Sequence, residues 1–184
     1  EQDKASRNSR LMKPEGYKAD GKDSHPLVVF LHGAGERGKD NAAQLKHGVA
    51  DFARAENRKK YPCFLIAPQC PEKQGWAGKN ADVVLALIDD LCKEFRIDKK
   101  RIYLTGLSMG GYGTWDLLAR KPELFAAAIP ICGGGDPKKA DRMAKVPIWC
   151  FHGDKDTAVK VEKSRDMIEA IKKAGGKPEY TEYP

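Results

Sequence analysis

The chain has 184 residues, 41% of them hydrophobic and 32% charged, with a formal net charge of +7. That length suits one domain with a substantial core, and no apolar run approaches the ~20 residues of a membrane span. The basic excess raises an anionic partner, but most lysines are interleaved with acids, as in DKDTAVKVEKSRD, so a solvated face is expected and no nucleic-acid partner. The opening EQDKASRNSR has neither an initiator Met nor an apolar leader. A secreted or periplasmic origin would fit that start, and the compartment stays open.

In chain order, short apolar runs alternate with amphipathic segments. HPLVVFLHG (25–33) reads as a strand, and after the polar loop AGERGKD the stretch 41–57 reads as a helix. PCFLIAPQ (62–69) is a second strand bounded by prolines. The segment 81–97 places Val84, Leu87, Ile88, Leu91 and Phe95 on one helical face. RIYLTG (101–106) is a third strand, and GGYGTWDLLARKP leads into a helix stopped by Pro122. A fourth strand falls within 124–135 and a fifth at 146–153. A helix from about 160 to 174 stops at Gly175-Gly176, and 177–184 reads as a sixth strand. Continuous apolar strands separated by helices predict one α/β domain, a mostly parallel sheet flanked by helices on both faces. In such sheets chemistry gathers at the carboxyl ends of the strands.

Cys63, Cys70, Cys92, Cys132 and Cys150 form no CxxC pair and no regular spacing. Buried free thiols are expected, rather than a zinc site or a disulfide framework. A Cys63–Cys70 bridge is ruled out if the run between them is one straight strand, at ~3.3 Å per residue. There is no dinucleotide fingerprint, so no cofactor and no metal are expected.

Between the third strand and the next helix lies YLTGLSMGGYG (103–113). The spacing Gly106-x-Ser108-x-Gly110 is that of a nucleophile elbow, in which a strand turns directly into a helix and aims the helix N–H groups at a developing charge. A Gly-rich turn is the plainer alternative. FLHGAGERG (30–38) ends an earlier strand and offers small residues for an oxyanion hole, with N–H donors from Ala34 and from Met109. A phosphate loop is disfavoured there, because no Gly-Lys-Ser/Thr follows. FHGDKDTAV (151–159) supplies a carboxylate after the serine in the expected order, with Asp156 as the candidate and Asp154 as its rival.

LHGAGERG with QL behind it, GLSMGGYGTW and HGDKDTAV together resemble the α/β-hydrolase superfamily. More narrowly, they are similar to phospholipase/carboxylesterase-like and polyhydroxybutyrate-depolymerase-like esterases, a group often labelled predicted peptidases. The resemblance runs from about Leu11 to the end. It implies the α/β-hydrolase fold, Ser108 as nucleophile, Asp156 rather than Asp154 as triad acid, and Ala34 and Met109 as oxyanion donors. It also implies hydrolysis of small acyl esters through an acyl-enzyme, with acetyl or feruloyl esters among the substrates. Trp76 could line the acyl or alcohol pocket or simply pack in its loop; Glu36 and Arg37 are read as ties within the oxyanion loop. A peptidase and a noncatalytic binding protein on the same fold are the alternatives, and oligomeric state is not legible.

The resemblance places the catalytic histidine in a loop after the last strand. The four histidines here, His25, His32, His47 and His152, all precede that place. Each is expected to be structural, and the chain is expected to be truncated at its C-terminus, and short at its N-terminus by a strand before RLMKPEGY.

Overall fold

The structure, a computed structural model, describes residues 8–184. The reading of the chain's start at EQDKASR lies outside the described residues. Seven strands form one sheet: β1 (Ser9–Met12), β2 (His25–Leu31), β3 (Phe64–Pro68), β4 (Ile97–Leu107), β5 (Ala127–Ile131), β6 (Trp149–Gly153) and β7 (Glu179–Tyr183). Their spatial order is β1-β3-β2-β4-β5-β6-β7. β1 runs antiparallel to β3, and every other pairing is parallel.

Six helices make the connections: α1 (Val49–Ala53), α2 (Ala55–Lys60), α3 (Lys79–Glu94), α4 (Met109–Arg120), α5 (Ala140–Met143) and α6 (Glu162–Lys173). The main core packs α3, α4, α5 and α6 on one face through Val84, Ile88, Trp115, Leu118, Met143, Met167 and Ile171. On the other face a smaller cluster of Phe30, Val49, Leu65 and Ala67 joins α1 to β2 and β3. Each fully buried side chain of this size contributes about 1.5–3 kcal/mol of transfer free energy.

The helix predicted over 41–57 is not continuous. A 3₁₀ turn at Ala43–Leu45 precedes α1, Gly48 takes φ +78°, and Arg54 is extended (ψ 136°) between α1 and α2. An amphipathic pattern is thereby delivered by two short helices rather than one. β1 escaped the sequence reading because four residues, two of them polar, carry no legible alternation. The predicted third strand extends back to Ile97, into what reads as helix. All five cysteines are free, and the straight strand β3 separates Cys63 from Cys70. Contrary to expectation, Cys92 and Cys132 are only partly buried.

Register sets the carboxyl edge of the sheet. Leu31 pairs with Gly106, Leu107 with Ile131, Ile131 with Phe151, and Gly153 with Tyr183. The residues just past these positions therefore share one rim: the loop at 32–34, Ser108, Cys132, the loop at 154–159, and the end of β7. Every candidate residue but Trp76 lies in this row, and Trp76 reaches it from the β3–α3 loop.

Candidate active site

Ser108 sits at the junction of β4 and α4 with φ +53° and ψ −114°, a conformation that a residue bearing a Cβ rarely adopts. Its backbone N–H donates to Ile131 O at 2.9 Å, which ties the turn to the neighbouring strand. The flanking glycines explain how the turn fits. A Cβ on Gly106 would lie 2.5 Å from Gly110 O, and one on Gly110 would lie 1.9 Å from Leu31 O. A Cβ on Gly111 would meet Ile131 O at 2.4 Å. Three glycines are needed because the first turn of α4 presses against the ends of β2, β4 and β5 at once.

The two candidate donor residues lie at the starts of two short elements. Met109 is the first residue of α4, where N–H groups have no intrahelical partner. Ala34 opens a 3₁₀ turn, Ala34–Glu36, directly after Gly33. A Cβ on Gly33 would stand 3.3 Å from the Leu107 side chain, so the loop backbone runs against the residue preceding Ser108. Met109 lines the same cleft as Ser108, and the loop that carries Ala34 runs along Leu107.

Ties hold the loop there. Gln69 Nε2 donates to Glu36 O and to Asp40 Oδ1, and Gln69 Oε1 accepts from the Asn41 N–H. Arg37 Nε donates to Gln74 O, joining this loop to the one after β3. Glu36 is largely buried, with His47 Nε2 3.7 Å from its carboxylate. His47 lies in a turn rather than in the predicted helix.

Trp76 is 4% exposed, its Nε1–H donates to His32 O at 3.0 Å, and its ring meets His32 edge-on. It still walls a cleft of about 340 Å³ lined by Gly75, Ala77, Ser108, Met109, Tyr112 and Gly113. Both readings of Trp76 therefore meet in one residue, which is packed and also faces the cleft. Tyr112, 40% exposed one turn into α4, is the cleft residue that the sequence reading missed; its place beside the serine could have been inferred from helical spacing alone.

Asp156 follows β6. Its Oδ1 accepts the Ala158 and Val159 N–H groups at 2.8 and 2.9 Å, so its position is set by its own loop. The Val159 N–H is the chief influence holding its carboxyl below the usual carboxylate range; burial opposes this, while the Ala158 N–H and the nearby His152 assist. The depressed value means that these bonds contribute stability above the ordinary value of 3.8 and lose it as pH falls through the folded value. In a ¹³C titration, the Asp156 carboxyl is expected to show its midpoint below 3.8. A midpoint above that value would mean the turn is not formed. Asp154 is exposed, and its N–H donates to Tyr183 O at 2.7 Å, which fixes the rival carboxylate's backbone to β7 instead.

Cys132 stands between the serine and the acid. It has φ +41°, and its N–H donates to Phe151 O at 2.8 Å. Burial pushes its thiol pKa up; the Ser108 N–H opposes that and the Asp156 charge adds to it. Two adjacent rim residues, Ser108 and Cys132, thus share left-handed backbone, an arrangement that sequence spacing does not reveal.

The histidines are occupied elsewhere. His32 accepts the Cys70 N–H at Nε2 (2.9 Å) and donates from Nδ1 to Gly33 O (2.6 Å), and burial lowers its pKa. With both nitrogens engaged, it cannot take a proton from Ser108. His152 is buried with Nε2 on Val159 O and Nδ1 on Ser164 Oγ, each at 2.8 Å. His25 packs edge-on against Tyr17 and Phe64 at the start of β2.

The model of the dienelactone hydrolase family matches residues 70–184, more than half of the sequence and the part that holds Ser108 and Asp156. The chain belongs to that family. It is 42% identical over 126 residues to a poly(3-hydroxyalkanoate) depolymerase C of Paucimonas lemoignei, a match spanning 59% of this chain and 28% of that protein. Over 91 residues it is 33% identical to a bifunctional acetylxylan esterase/xylanase of Neocallimastix patriciarum, covering 49% of this chain and 13% of that one. Among solved structures, a thermostable esterase superposes with TM-score 0.90 at 46% identity, over 95% of this chain and 50% of its own. The chain thus spans half or less of the length of these relatives. The expected α/β-hydrolase fold and the likeness to depolymerases and esterases are both borne out.

Proposed function

We propose that the chain is a serine carboxylic-ester hydrolase working through an acyl-enzyme, and that residues 8–184 form a single α/β-hydrolase domain. The observation that carries this reading is Ser108 at φ +53° between β4 and α4, with Gly106 and Gly110 closed against backbone. A serine is held in such a turn at a cost of about 1–3 kcal/mol, which a plain turn would avoid with glycine. Ser108 attacks the ester carbonyl, and the N–H groups of Ala34 and Met109 receive the oxyanion. Asp156, with Oδ1 tied to its loop, holds the base in its working tautomer through its remaining carboxylate capacity.

In this reading His32 and His152 are not the base, because both ring nitrogens of each are bonded to other groups. The cleft of about 340 Å³, walled by Trp76 and Tyr112, suits short or soluble acyl esters. Relatives named as acetylxylan esterase and probable feruloyl esterases support acetyl or feruloyl esters as substrates.

Hydrolysis of p-nitrophenyl acetate tests the assignment of the base. Residues 1–184 alone, shown folded by circular dichroism, are expected to give no turnover above that of Ser108→Ala. Turnover that Ser108→Ala abolishes would place a base within these residues and overturn the structural role given to His32 and His152.

A further inference from the structure

His152 and Ser164 take no part in the chemistry above, yet both are buried and meet at the acid loop. The His152 Nε2–H donates to Val159 O at 2.8 Å, and Nε2 lies 3.5 Å from Asp156 Oδ2. Val159 is the residue whose N–H grips Asp156 Oδ1. His152 therefore holds the carbonyl side of the same residue whose amide side holds the carboxylate.

The other face of the ring reaches α6, where Ser164 Oγ lies 2.8 Å from Nδ1 and 3.0 Å from Gly133 O. Cys150 Sγ, 3.4 Å from the same hydroxyl, completes its surroundings. Gly133 in turn lies beneath the first turn of α4, since a Cβ there would come within 2.5 Å of Gly111 C and 2.6 Å of Tyr112 N. A continuous path of hydrogen bonds and backbone contact thus runs from the acid loop through His152 and Ser164 to the helix that begins at the serine.

We propose that His152 and Ser164 are positioning residues, forming a buried clamp that fixes the 153–159 loop on α6 and sets Asp156 relative to Ser108. The proposal rests on Asp156 as the triad acid. An acid loop without this anchor keeps its own turn but loses its tie to α6 and to Gly133. Both ring nitrogens and the hydroxyl are needed because each bonds a different element: the loop, α6 and the β5–α5 connection.

The test reads the loop directly by amide hydrogen exchange in Ser164→Ala and His152→Gln. The Gln variant retains an N–H for Val159 O while losing the link to Ser164. In both variants the Ala158 and Val159 amides are expected to exchange about tenfold faster, the effect of losing roughly one net hydrogen bond, with the Leu104 and Leu117 amides unchanged. Uniform acceleration across the core, or unchanged exchange at Ala158 and Val159 in folded variants, would overturn the clamp. In a form of the protein that turns over p-nitrophenyl acetate, kcat should fall about ten- to a hundredfold at constant KM, as displacement of a catalytic group does. A rise in KM alone would also count against positioning. If exchange responds as stated but Asp156→Asn leaves kcat intact, the clamp stands and the triad reading of Asp156 falls.

Discussion

Replacing Ser108 with alanine is expected to lower kcat about a million-fold in a form of the protein that turns over p-nitrophenyl acetate, the scale seen when a triad nucleophile is removed. Under the proposed mechanism, the residual rate then comes from the oxyanion donors and from binding in the cleft. Stability separates this loss from misfolding. Alanine retains a Cβ at φ +53°, so its thermal midpoint should match the parent's. Ser108→Gly removes the Cβ and relieves about 1–3 kcal/mol of strain, against about 0.5–1 kcal/mol of extra unfolded-state entropy. The glycine variant should therefore be equally inactive but melt a few degrees higher, at about 2–4 °C per kcal/mol for a chain of this size. A glycine variant that melts lower than the parent would mean that the turn at Ser108 is not strained. Retained turnover in Ser108→Ala would remove the serine from the mechanism.

The second large effect is structural. Gly110→Ala places a methyl 1.9 Å from Leu31 O and 2.9 Å from His32 O, and both contacts are with backbone. No rotamer relieves them, so α4 must move off the end of β2. The expected cost exceeds about 4 kcal/mol, among the largest single-residue effects, and corresponds to a fall in melting temperature on the order of 10 °C. Gly35→Ala is the control, because nothing lies within 4 Å of its Cβ position; it should change stability by less than about 0.5 kcal/mol. Equal midpoints for the two variants would show that α4 does not seat against β2 in solution.

These two sites show how local signals and tertiary contacts divide the explanation. Gly106, Ser108 and Gly110 were legible because a strand-to-helix turn needs small residues at fixed offsets; the clash at Gly106 is with nearby Gly110 O, whereas that at Gly110 is with Leu31 O on a distant strand. The parallel sheet was legible for a similar reason: strands covered on both faces read as unbroken apolar runs such as LVVFL. Motif order offered Asp156 with Asp154 as its rival and the family resemblance chose between them, while the sheet register brings the ends of β2, β4 and β6 to one rim.

Other features depend on residues distant in sequence. The helix expected over 41–57 breaks at Gly48 and Arg54, leaving α1 to pack on β2 and β3 while α2 buries no residue, and hydrophobic period does not report a break. Trp76 reads as a loop residue, yet its N–H finds His32 O 44 residues away and its Cβ region closes on Gly113. Cys132 reads as one more buried thiol until the pairing of β5 with β4 and β6 sets it between Ser108 and the acid loop. His152 was recognisable as structural only by its place in the order. That it grips Val159 through one nitrogen and Ser164 through the other was decided by α6 folding back over β6. Short-range sterics, such as a Cβ on Gly106 meeting Gly110 O, and the burial of apolar runs act between neighbours in sequence and so can be read there. Hydrogen bonds that close across 30 or more residues depend on register and helix packing, which only the assembled sheet determines.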